Sequence, residues 1–560
     1  MKVPRRMDAD ARLRTRCRFL SALAVVVGFV LLFDSLWKSS ATYDEVAYLK
    51  VACRWWRTGD QESMTRMGSP LTFWKLQQAP VLLGLDPSGR GEWIDDPIRH
   101  QAQLLPLVRL GGLWIWLAAI GLTLFWAGRL HGPRAMALAA WVFALEPNLL
   151  AHGGLVTMEM PIVAGSALVG LLFWTFLRTG NRRWLWASGL ACGLAFSCKF
   201  TAIVFPAILG LAWWLSPSET QAGGRCPPYK IFRVAGGMSV FVGLMLLGDV
   251  VLTGFATQTP SESRGGHPAI ESRLPIAIQP AVASLIETPL PADLVAFVIQ
   301  VRHQRSGGPS FLMGERRLRG WWYYYLVAMA IKVPLGFWLL FGGRCLVGPK
   351  IARDRQEGMI LVLLGAYLAI ASIGSTRNYG IRYLLPMAPM AVVWISGLAE
   401  GSRRARTLAV VGLLGMVASL AMIHPHELTY FNVLGGGRDG GRRILSDSNL
   451  DWGQGARSLA RLQAKHPELR DLTFYAFGDT DPGWYGVSGR CIVVDAGEEQ
   501  PDLPDHFRAS TRYVAVSSSL LWGPWGPPDY FEFLRSVRPL VWTDDGTIAV
   551  FRSKDVREAR

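Results

Sequence analysis

The sequence alternates long apolar runs with short loops rich in Lys and Arg, and few folds accommodate that alternation. The runs cover about 19–37, 106–128, 135–150, 160–177, 184–216, 234–253, 321–343, 358–374, 383–399 and 407–423. Most approach the ~20 residues that an α-helix needs to cross the hydrocarbon core of a bilayer. No water reaches that core, so each segment must satisfy its own backbone N–H and C=O groups, which a helix does. The composition agrees, with 51% of residues hydrophobic and 18% charged, against about 25% charged in soluble globular chains. The first run is too long for the apolar part of a secretory leader and has no small-x-small site with a polar follow-on, so a retained span is predicted.

Charge sets the predicted orientation. Residues 1–18 carry Lys2, Arg5, Arg6, Arg12, Arg14, Arg16 and Arg18, a basic block that stays cytoplasmic and sends the first span outward. Further basic loops follow at Arg129–Arg134, at Arg178, Arg182 and Arg183, at Arg225, Lys230 and Arg233, at Arg344, Lys350, Arg353 and Arg355, and at Arg403, Arg404 and Arg406. The run 184–216 is long for one helix and is interrupted by Cys198-Lys199-Phe200, so it reads as two spans with Lys199 at an outer hairpin. The expected architecture is an α-helical polytopic membrane protein of about eleven spans, within 19–423, in an inner (plasma) membrane. The net charge of +16 is then largely the signature of cytoplasmic loops, and a nucleic-acid partner is not expected. Two long outer loops are predicted. Residues 38–105 mix polar residues with Trp55, Trp56, Phe73, Trp74 and Trp93, a pattern for interfacial amphipathic helices, and 254–320 is rich in Pro, Gly and Ser. From 424 to 560 the pattern changes to short buried strands at Leu472–Phe477, Cys491–Val494 and Tyr513–Ser517, with helices at 456–464 and 530–537. That segment reads as a small soluble extracytoplasmic α/β domain. The seven Cys show no CxxC or zinc spacing and read as packing residues.

Ionisable groups beside a bilayer are costly, so their collection at one face marks a functional site. This topology collects on the outer side Asp44 and Glu45 after the first span, and Glu146, His152 and Glu159 around the turn between the third and fourth. It adds Lys199 at the hairpin, Asp249 at the end of the seventh span, and Arg377, Arg382 and Tyr383 at the tenth. A carboxylate serves either as a general base for an acceptor hydroxyl or as a hard oxygen ligand for a divalent cation. Lys and Arg grip a phosphate, Arg in bidentate fashion. Asp44, Glu45 and Glu159 are the candidate catalytic residues. Lys199, Lys75, Arg109, His152, His303, Arg382 and Tyr383 are the candidate substrate-binding residues. Plain structural readings stand beside these. Glu146 before Pro147 ends a helix, and Arg109 and Lys75 anchor helices at the headgroups.

Four stretches carry a resemblance. They are Tyr43-Asp44-Glu45; Glu146-Pro-Asn-Leu-Leu-Ala-His152 with Thr157-Met-Glu159-Met-Pro161; Phe311-Leu-Met-Gly-Glu315 with Gly320-Trp-Trp-Tyr-Tyr324 and Lys332-Val-Pro334; and His424-Pro-His-Glu427, Tyr430-Phe-Asn432 and Asp447-Ser-Asn-Leu-Asp-Trp-Gly-Gln454. With these the chain resembles the polyprenyl/dolichyl-phosphate-dependent glycosyltransferases related to protein O-mannosyltransferases (glycosyltransferase family 39, GT-C superfamily), in their bacterial branch. The resemblance implies a GT-C membrane fold and a sugar moved from a polyprenyl-phosphate donor to a protein, lipid or glycan acceptor on the outer face, with inversion. It implies Asp44 as the catalytic or metal-associated acid, with Glu159 where relatives often have Asp, so that any divalent cation would sit on Asp44 and Glu159. Lys199 matches a common Lys and is the phosphate candidate; Ser69-Pro70-Leu71 with Lys75 keeps only part of a family motif. The competing expectation is a transporter or flippase of lipid-linked saccharides. That reading calls for inverted repeats and broken midplane helices, and neither is visible in the sequence.

Overall fold

The basic N-terminal residues do not stand apart from the first span. Helix α1 runs unbroken over Val3–Ser35, in a computed structural model that describes residues 3–216, 230–260, 287–347, 355–479, 481–494, 511–526 and 530–559. Residues 261–286 of the 254–320 loop, together with Arg225, Lys350 and Arg353, lie outside the described residues. After α1, within the first predicted outer loop, come four short helices: α2 (Tyr43–Thr58), α3 (Glu62–Arg66), α4 (Phe73–Leu85) and α5 (Gly91–Asp95). Then follow α6 (Gln101–Leu130), α7 (Pro133–Ala144), α8 (Pro147–Gly153), α9 (Glu159–Thr179), α10 (Arg182–Cys198), α11 (Phe205–Leu215) and α12 (Lys230–Leu252). Beyond the undescribed segment lie α13 (Ala292–Ser306), α14 (Tyr324–Lys332), α15 (Leu335–Val347), α16 (Arg355–Gly374), α17 (Ala388–Ser396) and α18 (Arg403–Ala421).

Among the described residues, seven helices are long and apolar enough to cross a membrane, and nine if two bent pairs each count as one span. The chain is an integral membrane protein, but the count falls short of the eleven expected. The shortfall lies in 182–215. There α10 and α11 flank Lys199 and a 3-10 turn, Phe200–Val204. A Cβ on Gly237 of α12 would meet both Trp213 and Leu185, so the far ends of the two arms lie side by side as a hairpin. With 17 residues, α10 is about 25 Å long, less than the ~30 Å of a full hydrocarbon core.

The bent pairs are α7 with α8, at 65°, and α14 with α15, at 105°. Pro147 and Pro334 sit at the two breaks, where a ring in place of N–H interrupts the ladder. Side chains take up what the breaks release. Glu146 caps α8, its Oε2 accepting from the Leu149 N–H at 2.7 Å. The Asn432 amide donates to the Ala330 and Val333 carbonyls at 2.7 and 2.8 Å. Asn148 Nδ2 joins the two breaks by donating to Glu146 at 2.7 Å and to the Lys332 carbonyl at 3.0 Å.

The C-terminal strands form a five-stranded mixed sheet, ordered β6-β5-β7-β9-β8. Its strands are β5 (Leu472–Phe477), β6 (Arg490–Val494), β7 (Tyr513–Ser517), β8 (Val541–Trp542) and β9 (Ile548–Arg552). Two small antiparallel ladders precede it, β1 (Thr257–Gln258) with β2 (Leu290–Pro291), and β3 (Ser310–Leu312) with β4 (Glu315–Arg317). Helix 456–464 is present as Ala456–Lys465, whereas 530–537 yields only a 3-10 turn at Glu532–Arg535. Alternation along the strands gives the sheet two apolar faces. Tyr475, Phe477, Val516 and Phe551 pack under Phe531 and Leu534. Phe474, Ala476, Ala515, Ile548 and Val550 share a core with Val46, Leu49, Leu105 and Val108. The sheet is thus welded to α2, α4 and α6.

Candidate functional site

The site begins with a helix start. Thr42-x-x-Glu45 is a capping-box pattern, and Glu45 Oε2 accepts from the Thr42 N–H at 3.0 Å. Asp44 therefore falls in the first turn of α2, where the helix dipole favours a carboxylate. Its neighbour Glu45 turns inward. Arg109, on α6, donates to Glu45 at 2.9 and 2.7 Å and to the carbonyls of Leu36, Ser39 and Ser40 at 3.0, 3.2 and 2.9 Å. Glu45 Oε1 also accepts from the Val156 N–H at 2.9 Å. Burial pushes the Glu45 carboxyl up, but Arg109 and these donors outweigh it and hold the carboxyl below its usual range. Glu45 and Arg109 are fully buried and occupied with each other. The structure does not place them at a substrate; they frame the segments that carry Asp44 and Glu159.

Asp44 opens into a cavity of about 490 Å³. Its lining includes apolar Phe200, Ile203, Val204, Phe297, Ile370 and Ala371, and a polar cluster of Asp44, Glu159, Lys199, Arg382 and Tyr383. Lys199 Nζ lies 3.0 Å from Glu159 Oε1, both side chains nearly inaccessible. Arg382 Nη1 lies 3.0 Å from Asp44 Oδ2 and 3.6 Å from Glu159 Oε1. Lys199 and Arg382 also stand over the Tyr383 ring, at 4.8 and 5.5 Å. The helix breaks explain the placement. Lys199 has extended backbone at the end of α10, Glu159 starts α9, and Arg382 sits in the 3-10 segment Ile381–Met387 that leads into α17. Asp44 keeps 25% of its side chain accessible. Burial raises its carboxyl above the ordinary range, and the Arg382 charge and hydrogen bond only partly offset this.

The string Asp447–Gln454 supports this arrangement. Asn449 Oδ1 accepts from the Ile381 N–H at 3.0 Å, and its amide donates to the Tyr324 hydroxyl at 2.8 Å. The Trp452 ring lies 4.1 Å from the Arg382 guanidinium carbon. The Trp452 carbonyl accepts from the Tyr43 N–H at 2.7 Å, and the Gln454 carbonyl accepts from the Ser40 N–H at 3.1 Å. Asp451 accepts from the Ser519 N–H at 2.9 Å, tying the string to the sheet. Asp447, at φ +59°, accepts from Trp525 Nε1 at 2.9 Å, and burial pushes its carboxyl up to about 6. Lys332 Nζ donates to the Leu428 and Asn449 carbonyls at 2.9 and 2.6 Å. The Trp452 ring is not in the cavity lining and reaches the site through Arg382. A Trp within an otherwise polar string is the sequence signal for such a platform. Gln300 and Gln304, one turn apart on α13, also line the cavity and carry no motif.

The other sequence candidates lie elsewhere. His152 is buried with its ring 6.1 Å from Trp452, outside the cavity lining, and its Nδ1 has no hydrogen-bond partner. Lys75 stands over Trp55 and Trp74 at 5.2 and 5.3 Å, and burial lowers its ammonium to about 8. His303 is half-buried on α13, next in sequence to the cavity-lining Gln304, and is not itself in the lining. Asp249 lies buried beside Asp293, which accepts from the Leu71 N–H at 3.1 Å. Among the described residues no group of three or more His, Cys, Asp and Glu side chains is arranged for a metal. Arg382 also places its charge between Asp44 and Glu159, the position a shared cation would need. These two carboxylates therefore do not fit a divalent cation in this arrangement.

Residues 107–222 match a family model described as dolichyl-phosphate-mannose-protein mannosyltransferase, in line with the resemblance drawn from the motifs. No curated protein matches. Among solved structures, the chain is similar to ArnT from Cupriavidus metallidurans in the apo state, at 15% identity over 95% of this chain and 97% of that one, with a TM-score of 0.47. The same protein bound to undecaprenyl phosphate gives 15% identity, the same coverage and a TM-score of 0.45. The oligosaccharyltransferase AglB from Archaeoglobus fulgidus, in complex with an inhibitory peptide and a dolichol-phosphate, gives 13% identity over 90% of this chain and 69% of that one, with a TM-score of 0.39.

Proposed function

We propose that this protein is a membrane glycosyltransferase that moves a sugar from a polyprenyl-phosphate donor to an acceptor hydroxyl on the extracytoplasmic face. The observation that carries the reading is the cavity itself. Its apolar lining suits a prenyl chain, and the same cavity holds two carboxylates and two cations. Asp44, the more accessible carboxylate, takes the proton as the acceptor oxygen attacks the anomeric carbon. The bond from that carbon to the phosphate oxygen breaks, and its electron pair leaves with the lipid phosphate. Lys199 and Arg382 hold the developing phosphate charge in a low-dielectric site, where such contacts count for more than in water. Attack opposite the leaving group inverts the anomeric centre. Glu159 pairs with Lys199 at 3.0 Å and holds it at the cavity wall.

The match over 107–222 to a family named for dolichyl-phosphate mannose supports a lipid-phosphate donor. The transporter reading gains one observation, because two broken helices are present. Their freed backbone groups, however, are bonded by Asn148 and Asn432 rather than turned toward an ion path. The test is to incubate the purified protein with a panel of radiolabelled polyprenyl-phosphate sugars and a membrane extract. Asp44→Asn is expected to abolish labelling while the protein still folds, and Lys199→Gln to weaken donor binding. An Asp44→Asn protein with undiminished turnover would refute the assignment.

A further inference from the structure

Helix α13 borders the cavity with one face and is bare on another. Gln300, Val301, Gln304 and Arg305 line the cavity. Leu294 and Val298 are 41% and 51% exposed, and Arg302 continues their spacing and is exposed as well. Residues four apart share one stripe of a helix, so this stripe is apolar at its start and cationic at its end. The cationic end is reinforced from outside the helix. Arg319 Nη2 donates to the Arg305 carbonyl at 3.3 Å, and Arg377 Nε donates to the Gly307 carbonyl at 2.9 Å. Among the described residues of 287–320 the acids are Glu287, Asp293 and Glu315. Asp293 is buried at the opposite end of the helix, and Glu315 is bonded to Arg317 at 2.8 Å. Burial, with Arg377 and Arg302 nearby, holds the His303 imidazole below its usual range, so it adds no charge near neutrality. A helix C-terminus favours a cation or two. Here Arg302 and Arg305 lie in the last turns of the helix, Arg319 and Arg377 bond its terminal carbonyls, and Arg305 lines the cavity. Gln304 Oε1 is buried and has no hydrogen-bond partner among the described residues.

We infer that the α13 rim docks an anionic lipid acceptor, with hydrocarbon along Leu294 and Val298, a headgroup phosphate or carboxylate on Arg302 and Arg305, and a hydroxyl turned into the cavity toward Asp44. The inference rests on the transferase reading and names its acceptor class. Lys199 and Arg382 are engaged with Glu159 and Asp44 in the polar cluster, so an anion at the rim meets separate cations. Guanidinium groups suit this role because they bond an oxyanion in bidentate fashion.

The test titrates the full-length protein in detergent with short-chain phosphatidic acid, a phosphomonoester lipid. Phosphatidylcholine of the same chain length and inorganic phosphate serve as comparison ligands, and calorimetry reads binding. Saturable binding of phosphatidic acid is expected, weakened about tenfold or more in the Arg302→Gln/Arg305→Gln protein through loss of charged hydrogen bonds. Lys199→Gln is expected to bind it as wild type does. Binding that ignores the two arginines, or that is lost with Lys199, overturns the assignment. Uptake that never saturates and is equal in both proteins marks ordinary attraction to an anionic surface and overturns it too. Inorganic phosphate binding as tightly, with the same arginine dependence, overturns the lipid part. Failure here leaves Asp44 catalysis standing; an Asp44→Asn protein that binds phosphatidic acid yet still transfers sugar overturns only the role of Asp44, and a wild-type protein that binds phosphatidic acid but labels no acceptor overturns the transferase reading and leaves the lipid-binding rim.

Discussion

Replacing Arg109 with Ala is the sharpest probe of how Asp44 is held. Arg109 is fully buried, bonds both oxygens of Glu45, and reaches three backbone carbonyls between Leu36 and Ser40. Glu45 in turn holds the Val156 N–H, three residues before Glu159. One ion pair therefore fixes both carboxylate-bearing segments. Removing one partner of a buried pair costs about 3–5 kcal/mol, because the other charge is stranded. The loosened segments also matter for rate, since a misplacement of ~1 Å lowers turnover by about 10²-fold. The expected Arg109→Ala protein has a lower thermal midpoint and, at temperatures where it is folded, a lower kcat with the KM for donor little changed. The Glu45→Met/Arg109→Met protein separates the two effects. It removes both charges and recovers part of the stability, but the Val156 N–H and the three carbonyls stay untied and kcat stays low. Turnover of Arg109→Ala within about twofold of wild type would refute the positioning argument, since a real misplacement costs far more.

Three further outcomes are expected. Asp44 must be ionised to accept a proton, and its folded-state carboxyl is raised. The acid limb of kcat/KM should therefore lie above the ~3.9 of an ordinary Asp and move higher still in Arg382→Gln; a limb at or below that value, or a downward move, contradicts the account. Trp452→Ala should cost about 0.5–2 kcal/mol of Arg382 orientation, read as a fall in kcat that Trp452→Phe partly restores; equal activity of all three proteins argues against the platform. Chelator-treated protein should keep its turnover, because Arg382 occupies the space between Asp44 and Glu159, and a loss restored by added Mg²⁺ or Mn²⁺ would show that Arg382 moves aside.

What could be read from the sequence follows from the solvent. A bilayer forces each span to satisfy its own backbone, so apolar runs report α1, α6, α9 and α12 directly. Strands β5, β6 and β7 are short apolar runs and were equally legible, whereas β8 has two residues and depends on its neighbour. Sequence could not tell that Glu45 and Arg109 would find each other, since their contact spans 64 positions and only the fold closes it. The Thr42-x-x-Glu45 spacing does carry a local clue that Glu45 is a capping residue. The runs 135–150 and 321–343 read as unbroken spans although each contains a proline, Pro147 and Pro334, at what proves to be a bend; the hydrogen bonds from Asn148 and Asn432 that join the second break come from distant parts of the sequence. Lys199, Glu159 and Arg382 were legible as costly charges, yet their pairing is set by packing that no single run contains.

The core shared between the sheet and α2, α4 and α6 has a consequence for biosynthesis. Tyr43 and Ser40 receive backbone partners from Trp452 and Gln454, so the stretch carrying Asp44 cannot reach its final form while the chain is still being made. One of the earliest segments to be made must wait for one of the last. Order of synthesis thus becomes order of assembly: a truncated or stalled chain is expected to keep its spans but not the arrangement around Asp44, and the sheet made alone, lacking the helices that share a core with Ile548 and Val550, should be insoluble.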